Sequence, residues 1–281
     1  MDAANAAQSE YWNTGAGETW AAMQRVLDDE LGPLGDAGIA LLAPKAGERL
    51  IDIGCGCGAT SLDLARAVGT GGAALGVDIS APMLAVARAR AADADLPQAT
   101  FLEGDAQVHG FDAGAFDGVF SRFGVMFFAD PAAAFANIRR ALKPGGRLTF
   151  VCWRAVMENP WMTLPAMAAL QHLPPLTEAV DADGPGPFAF ADPAKVRGIL
   201  AAAGFADIGL KPHDQAIGAR NMEDAVQMSL RIGPLGRRLR ENPDKVPLVI
   251  GAVRDALAPH AGPQGVLLPS ATWMVTATSP G

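Results

Sequence analysis

The sequence predicts an α/β chain built on a doubly wound, parallel sheet, and three observations carry that prediction. Short apolar runs of strand length alternate with helical patterns along residues 49–152. Acids close three of those runs, at Asp52, Asp78 and Asp105. Between the first run and its helix lie three alternating glycines, Gly54, Gly56 and Gly58. In a doubly wound sheet, ligands sit above the carboxyl ends of the strands, and these acids and glycines fall there.

Each element follows in order. Leu50-Ile51-Asp52-Ile53 has the length and branching of a buried strand. The glycines after it permit a sharp turn with bare backbone N–H groups facing a ligand. Residues 59–68 then form a helix with Leu62, Ala65 and Val68 on one face, and Gly69 ends it. Residues 73–78 are a second strand. Ser80 and Pro82 open a helix whose apolar side is Met83, Leu84, Val86 and Ala87. Residues 100–103 are a third strand running into Gly104-Asp105-Ala106, and residues 116–122 are a fourth. Residues 139–146 close a helix and turn the chain into a fifth strand over 147–152. The stretch 181–187, rich in glycine and proline, reads as a loop. A helix with an acid cap at Asp192 and Pro193 in first position follows, stopped by Gly204. Residues 205–210 lead into a sixth strand, and residues 271–277 are the last.

The glycine spacing is G-x-G-x-G, whereas dinucleotide loops read G-x-G-x-x-G. Asp52, two residues before the first glycine, suits a ligand amino group better than a pyrophosphate. S-adenosylmethionine carries such a group, together with a sulfonium and no phosphate. Asp78 stands 20 residues after Gly58, placed to accept hydrogen bonds from ribose hydroxyls, and Asp105 is placed for an adenine amino group. The Cys55-x-Cys57 pair suggests metal. However, the only other cysteine is Cys152 and the histidines are scattered at 109, 172, 213 and 260, so small residues fitting a tight turn explain the pair better and no metal is expected.

Taken together, D-I-G-C-G-C-G, G-V-D-I-S, G-D-A, F-D-G-V-F-S and L-K-P-G-G resemble the successive motifs of class I S-adenosylmethionine-dependent methyltransferases, in particular the small-molecule enzymes of the ubiquinone/menaquinone-biosynthesis type. The resemblance is dense over about residues 40–155 and looser over 192–210. It implies a Rossmann-like, mostly parallel sheet of seven strands with an antiparallel last strand. It also implies S-adenosylmethionine as methyl donor and S-adenosylhomocysteine as product. By the same resemblance Gly54, Cys55, Gly56 and Gly58 line the methionine and ribose portion, and Asp52 meets the methionyl amino group directly or through water. Asp78 binds the ribose hydroxyls, Ile79 and Met83 flank the adenine, Gly104, Asp105 and Ala106 hold its amino group, and Ser121 completes the cofactor set. Many relatives carry a histidine just after the fourth strand. Here the stretch is Phe123-Gly124-Val125-Met126-Phe127-Phe128, which has no titratable side chain.

Composition narrows the class further. The net charge of −8 argues against a broad nucleic-acid surface, so methylation of RNA or DNA is not expected. No apolar run has the length of a membrane span, and residues 1–5 have no leader character. Three cysteines in 281 residues suit a reducing compartment, and the expectation is a cytoplasmic enzyme. Arg231, Arg237, Arg238 and Arg240 read as a solvated helix face.

Three segments lie outside the scaffold: residues 1–32, taken as an N-terminal helical lid, and insertions at about 153–191 and 213–267 within a methyltransferase domain of residues 33–281. Four of the five tryptophans fall in the first two segments, so these read as lid and wall over an apolar or aromatic small-molecule acceptor. Trp12, Trp20, Phe123, Met126, Phe127, Trp153 and Trp161 are the expected acceptor contacts. His172 and Tyr11, with His109 behind them, are the candidate bases for an acceptor that must lose a proton. A phenol or an acidic carbon needs no dedicated base, so O- or C-methylation is favoured. The competing expectation is a protein that binds S-adenosylmethionine without transferring the methyl, as a regulator or as a scaffold for a reaction such as a cyclisation. A homodimer is left open.

Overall fold

The structure is a computed structural model that describes residues 5–174 and 184–281. The loop expected over 181–187 is therefore described only from Gly184 onward. The sheet is built from β1 (Arg49–Ile53), β2 (Ala73–Asp78), β3 (Ala99–Glu103), β4 (Phe116–Arg122), β5 (Leu142–Trp153), β6 (Ala206–Ala219), β7 (Ala261–Gly262) and β8 (Gly265–Thr278). Its order is β3-β2-β1-β4-β5-β8-β6, with β7 paired to β8. The β3-β2-β1-β4-β5 portion is parallel, while β8 runs antiparallel to both β5 and β6. The expected seven strands are thus joined by an eighth. β7 is only two residues long, too short to leave a periodic signal.

The expected helices flank this sheet. α4 (Ala59–Val68) buries Leu62, Ala65 and Val68, as its spacing requires. α5 (Ala81–Asp93) and α6 (Pro131–Ala141) each carry a proline in the first turn. α8 (Pro193–Ala202) is capped by the Asp192 carboxylate, which accepts from the Ala194 N–H. Ser80 does not cap α5 through its side chain. Its hydroxyl donates to the Trp12 carbonyl at 2.7 Å instead, and the Ala81 N–H is met by Asn13 Oδ1 at 2.9 Å.

Two expectations about segment boundaries change. α1 (Ala6–Asn13) and α2 (Gly15–Ala22) lead into α3 (Gln24–Leu42), one helix that continues through Pro33, so the boundary after residue 32 falls inside it. An interior proline costs about 3 kcal/mol. Burial of Leu27, Leu31, Leu34 and Leu42, worth roughly 1.5–3 kcal/mol each, outweighs that cost. Glycine lets the same helix press on the sheet: a Cβ at Gly38 would lie 2.8 Å from Val151 Cγ2 and 2.9 Å from Phe120 Cε2. The insertion expected over 213–267 is also shorter, because β6 runs to Ala219 and β8 starts at Gly265, paired from Ala206↔Thr278 to Ala219↔Val266.

What remains between β6 and β8 is helical: α9 (Met222–Arg231), α10 (Gly233–Glu241) and α11 (Val246–Leu257). With α7 (Pro160–Ala169) they enclose a second apolar cluster that includes Leu230, Leu239, Val249 and Val253. The main core fills the sheet faces around Phe120, Phe135, Phe150 and Phe190. Trp161 and Val26 pack against both clusters.

Candidate active site

The switch point of the sheet lies between β1 and β4, whose chains continue to opposite sides. There the loop after β1 and the turn after β4 touch: a Cβ at Gly54 would sit 2.5 Å from Gly124 Cα. Gly54 has a φ of +67°, Gly56 of +52° and Gly58 of +82°, so every second residue of the loop is left-handed. The loop is tied down from two sides. Asp78, at the end of β2, accepts from the Gly56 N–H at 2.8 Å and from the Ser80 N–H at 2.9 Å. Arg90 on α5 donates to the Cys57 carbonyl and to Asp28 on α3, both at 2.7 Å.

Above this edge opens a cavity of about 1200 Å³. At one end it is bordered by Gly54, Cys55, Gly56, Asp78, Ile79 and Met83, with Gly104, Asp105 and Ala106 beside them. Asp78 is 8% exposed, and burial raises its carboxyl, opposed by the backbone N–H groups it accepts from. Asp105 accepts from the backbone and the side-chain amide of Gln107. Arg122, at the end of β4, borders the cavity too. Burial pushes its guanidinium down, and the nearby Asp28, Asp52 and Asp63 oppose that. Among the described residues it makes no hydrogen bond or ion pair, which leaves a cation facing the cavity for an anionic group.

The other end is aromatic. Phe123 stacks on Trp153 with ring centroids 4.0 Å apart, and Trp153 leans on Trp161 at 4.9 Å. Phe123 holds this position with a φ of +63°, in the left-handed region that bulky residues rarely adopt. Opposite, Trp12 meets Phe127 at 5.3 Å and Trp20 at 5.6 Å, edge to face. Trp12 is brought there by the N-terminal segment, which is strapped to the turn after β2. Asn13 Nδ2 donates to the Ile79 carbonyl at 2.7 Å, alongside the Ala81 and Ser80 bonds described above.

All seven expected acceptor residues, Trp12, Trp20, Phe123, Met126, Phe127, Trp153 and Trp161, border this one cavity. Of the expected cofactor set, three do not. Asp52 is fully buried beneath the loop and off the cavity wall, where Oδ2 accepts from the Thr60 and Ser61 hydroxyls at 2.7 and 2.6 Å while Oδ1 has no hydrogen-bond partner among the described residues. Burial lifts its carboxyl to about 6 against those two hydrogen bonds. Gly58 packs under α5, where a Cβ would meet that of Ala87 at 2.9 Å. The buried Ser121 hydroxyl accepts from the Gly124 and Val125 N–H groups and shapes the turn after β4.

Of the candidate bases only Tyr11 borders the cavity, with its hydroxyl accepting from Arg240 Nη2 at 3.4 Å. His172 lies in the short helical turn after α7, off the cavity wall, and His109 packs edge-on to Phe111 at 4.7 Å. Arg237 and Arg238 of the basic run border the cavity beside Glu241. Cys55 and Cys57 flank Gly56, and burial raises both thiols, Cys57 to about 12, so neither is a thiolate near neutrality. No group of three metal-ligating side chains gathers among the described residues.

Asp28, Arg122 and Glu30 are titratable residues of the cavity wall that the motifs do not show, and Glu30 is the most deeply buried of them. It sits on α3 between Leu27 and Leu31, all three bordering the cavity, and is 1% exposed. Among the described residues neither of its carboxylate oxygens has a hydrogen-bond partner. Burial lifts its carboxyl to about 8. A trace of it was present in the sequence: residues 27, 31, 34, 38 and 42 mark the apolar face of α3, and an acid at 30 interrupts that face.

A glycine loop with acids at successive strand ends, at the switch point of a parallel sheet, defines a nucleoside-binding α/β protein. Residues 51–150 match the family model described as a methyltransferase domain. Aklanonic acid methyltransferase DauC of Streptomyces sp. (strain C5) is 34% identical over 148 residues, which cover 50% of this chain and 67% of that protein. Demethylmenaquinone methyltransferase of Thermus thermophilus is 49% identical over 67 residues, covering 24% of this chain and 30% of that enzyme. In fold the chain resembles phosphoethanolamine N-methyltransferase 2 of Haemonchus contortus, solved with S-adenosylmethionine, with a TM-score of 0.55 at 20% identity. That match covers 89% of this chain and 53% of the other, so the present chain spans about half the length of the nematode enzyme. The chain belongs to the class I S-adenosylmethionine-dependent methyltransferases. S-adenosylmethionine is its cofactor. In the described residues no helix is long and apolar enough to cross a membrane.

Asp78 gives the first test of the cofactor end. Replacing it by alanine removes a charge-assisted acceptor, a group worth roughly 1.5–3 kcal/mol per hydrogen bond. Calorimetry of Asp78→Ala is expected to show at least a tenfold weaker dissociation constant for S-adenosylhomocysteine. The melting temperature falls as well, because the Gly56 and Ser80 N–H groups lose their partner. An unchanged dissociation constant would remove Asp78 from the binding site.

Proposed function

We propose that this protein methylates an apolar or aromatic small molecule at oxygen or carbon, held between the aromatic walls of the cavity. The carrying observation is the wall itself: eight aromatic rings, from the N-terminal segment, the turn after β4, the end of β5 and α7, border one cavity. Such surfaces exclude water and orient flat apolar molecules. The two curated relatives are each named for a small-molecule acceptor, which supports the reading.

In this proposal Gly54, Cys55 and Gly56 offer backbone to the methionyl and ribose portions of S-adenosylmethionine, and Asp78 takes the ribose hydroxyls. Ile79 and Met83 flank the adenine, with Asp105 and Ala106 at its amino group. Arg122, the unpaired cation of the wall, takes the methionyl carboxylate. Asp52 acts from beneath by fixing Thr60 and Ser61 at the start of α4. Bound S-adenosylmethionine supplies an activated methyl group on a sulfonium, so the protein's work is alignment and exclusion of water. Nothing in this scheme uses His172.

The test is a methyl-transfer assay that follows S-adenosylhomocysteine release over a panel of acceptors. Fused-ring phenols and acidic carbon compounds are expected to turn over, while polar amines and nucleosides do not. Transfer confined to amines or to RNA would overturn the acceptor class.

A further inference from the structure

Among the described residues, Glu30 is the one buried carboxyl on the cavity wall for which the scheme above has no use. Its carboxyl is closed off from solvent, and neither oxygen has a partner among the described residues. A buried polar group without a hydrogen bond costs roughly 1–3 kcal/mol, more than the loss expected for an ordinary surface substitution. Neighbouring positions show that the fold does not need an acid there. Leu27 and Leu31 fill the same stretch of wall with apolar side chains, and leucine or methionine would complete it. A partner that arrives in the cavity would satisfy the carboxyl.

We infer that Glu30 is the acceptor-recognition group of this enzyme, hydrogen bonding to an uncharged oxygen substituent, a hydroxyl or a carbonyl, on an otherwise apolar acceptor. This rests on the apolar-acceptor reading and adds to it the polar feature that the acceptor must carry. Burial keeps the Glu30 carboxyl protonated at neutral pH, since its pKa is raised to about 8. A neutral carboxyl both donates and accepts, so it matches hydroxyl and carbonyl oxygens alike and offers no counter-charge to an ammonium. A site built around a buried polar group discriminates strongly against analogues that leave that group unpaired.

The experiment uses the full chain loaded with S-adenosylhomocysteine and two probes of nearly equal shape, 2-naphthol and 2-methylnaphthalene. Calorimetry on the wild type is expected to favour 2-naphthol about tenfold, the scale of one buried hydrogen bond. Glu30→Leu is expected to reverse that preference. Glu30→Gln, whose amide also donates and accepts, keeps it. A preference for 2-naphthol that survives in Glu30→Leu overturns the inference and leaves the apolar-acceptor reading standing, as does equal affinity of the wild type for both probes. If the loaded wild type binds neither probe, the apolar-acceptor reading itself fails and the inference goes with it. Should Glu30→Leu not fold, loss of the preference in Glu30→Gln overturns the inference, and its retention supports it.

Discussion

Between pH 6 and pH 8 the wild-type protein is expected to lose roughly 2–3 kcal/mol of folding stability that Glu30→Gln does not lose. The sign follows from linkage. Glu30 has a folded pKa of about 8 against an ordinary 4.5, so folding requires this carboxyl to hold a proton. Its contribution is whole below pH 4.5 and is lost as pH rises towards 8, at about 1.4 kcal/mol per pH unit. Burial is the sole cause of the shift; neither Arg122 on β4 nor Asp28 on α3, which share the cavity wall, offsets it. Asp52 is also raised, but only to about 6, so its window closes at the lower end of the interval, and what remains of it is common to both proteins. Denaturant unfolding at the two pH values, on wild type and Glu30→Gln, measures the difference. Equal losses in both proteins would mean that Glu30 is paired in solution. Glu30→Leu should be more stable than wild type at pH 8, an instance of stability gained where a functional group is surrendered.

Gly54→Ala is expected to abolish S-adenosylhomocysteine binding and to destabilise the fold by about 3 kcal/mol or more. A side chain at φ +67° costs roughly 1–2 kcal/mol by itself. The larger cost is steric, because the added Cβ meets the Gly124 backbone at 2.5 Å. Gly124 has no room to retreat: a Cβ on it would lie 2.6 Å from the Ile53 carbonyl and 2.7 Å from Gly54 Cα. Relief therefore requires the loop after β1 and the turn after β4 to part, which disperses Gly54 and Cys55 on one side and Phe123 on the other. Gly47→Ala is the control, since Gly47 has a φ of +83° and nothing within 4 Å of the added carbon. Equal destabilisation by the two substitutions in thermal melts would show that conformation alone accounts for the effect at Gly54.

The cofactor half of the molecule was legible because its signals are local. Strand, glycine turn and terminal acid follow one another within a few residues, so Asp78 and Asp105 could be placed on the sheet edge from spacing alone, with Ile79 added by resemblance. Asp52 and Ser121 lie off the cavity wall for a related reason. Spacing fixes the strand end but not which way the side chain turns, and both face inward to satisfy neighbouring hydroxyl or N–H groups. The acceptor half depends on contacts between distant segments. Composition marked Trp12 and Trp161 as wall residues, but not the straps from Asn13 to Ile79 and Ala81 that bring Trp12 across. The boundary after residue 32 fell inside α3 because the segment was delimited by where the scaffold motifs begin, whereas burial along the helix is visible only in three dimensions. Glu30 went unnoticed because an acid next to Asp28 and Asp29 reads as part of a solvated face.

The N-terminal strap carries a consequence for how such a protein tolerates change. At 79 and 81 its hydrogen bonds reach only backbone atoms, the Ile79 carbonyl and the Ala81 N–H, so these two positions can drift in side-chain identity without loosening it. A change of side chain at residue 79, on the cavity wall, therefore leaves Trp12 in register with Phe127. Side-chain control of the strap is concentrated instead in Asn13 and Ser80, and beneath them in Gly17, where a Cβ would come within 1.9 Å of the Trp12 carbonyl and 2.7 Å of the Ser80 hydroxyl. Donor recognition and acceptor recognition thus meet at a joint with very few adjustable parts, and each can diversify without dismantling the other.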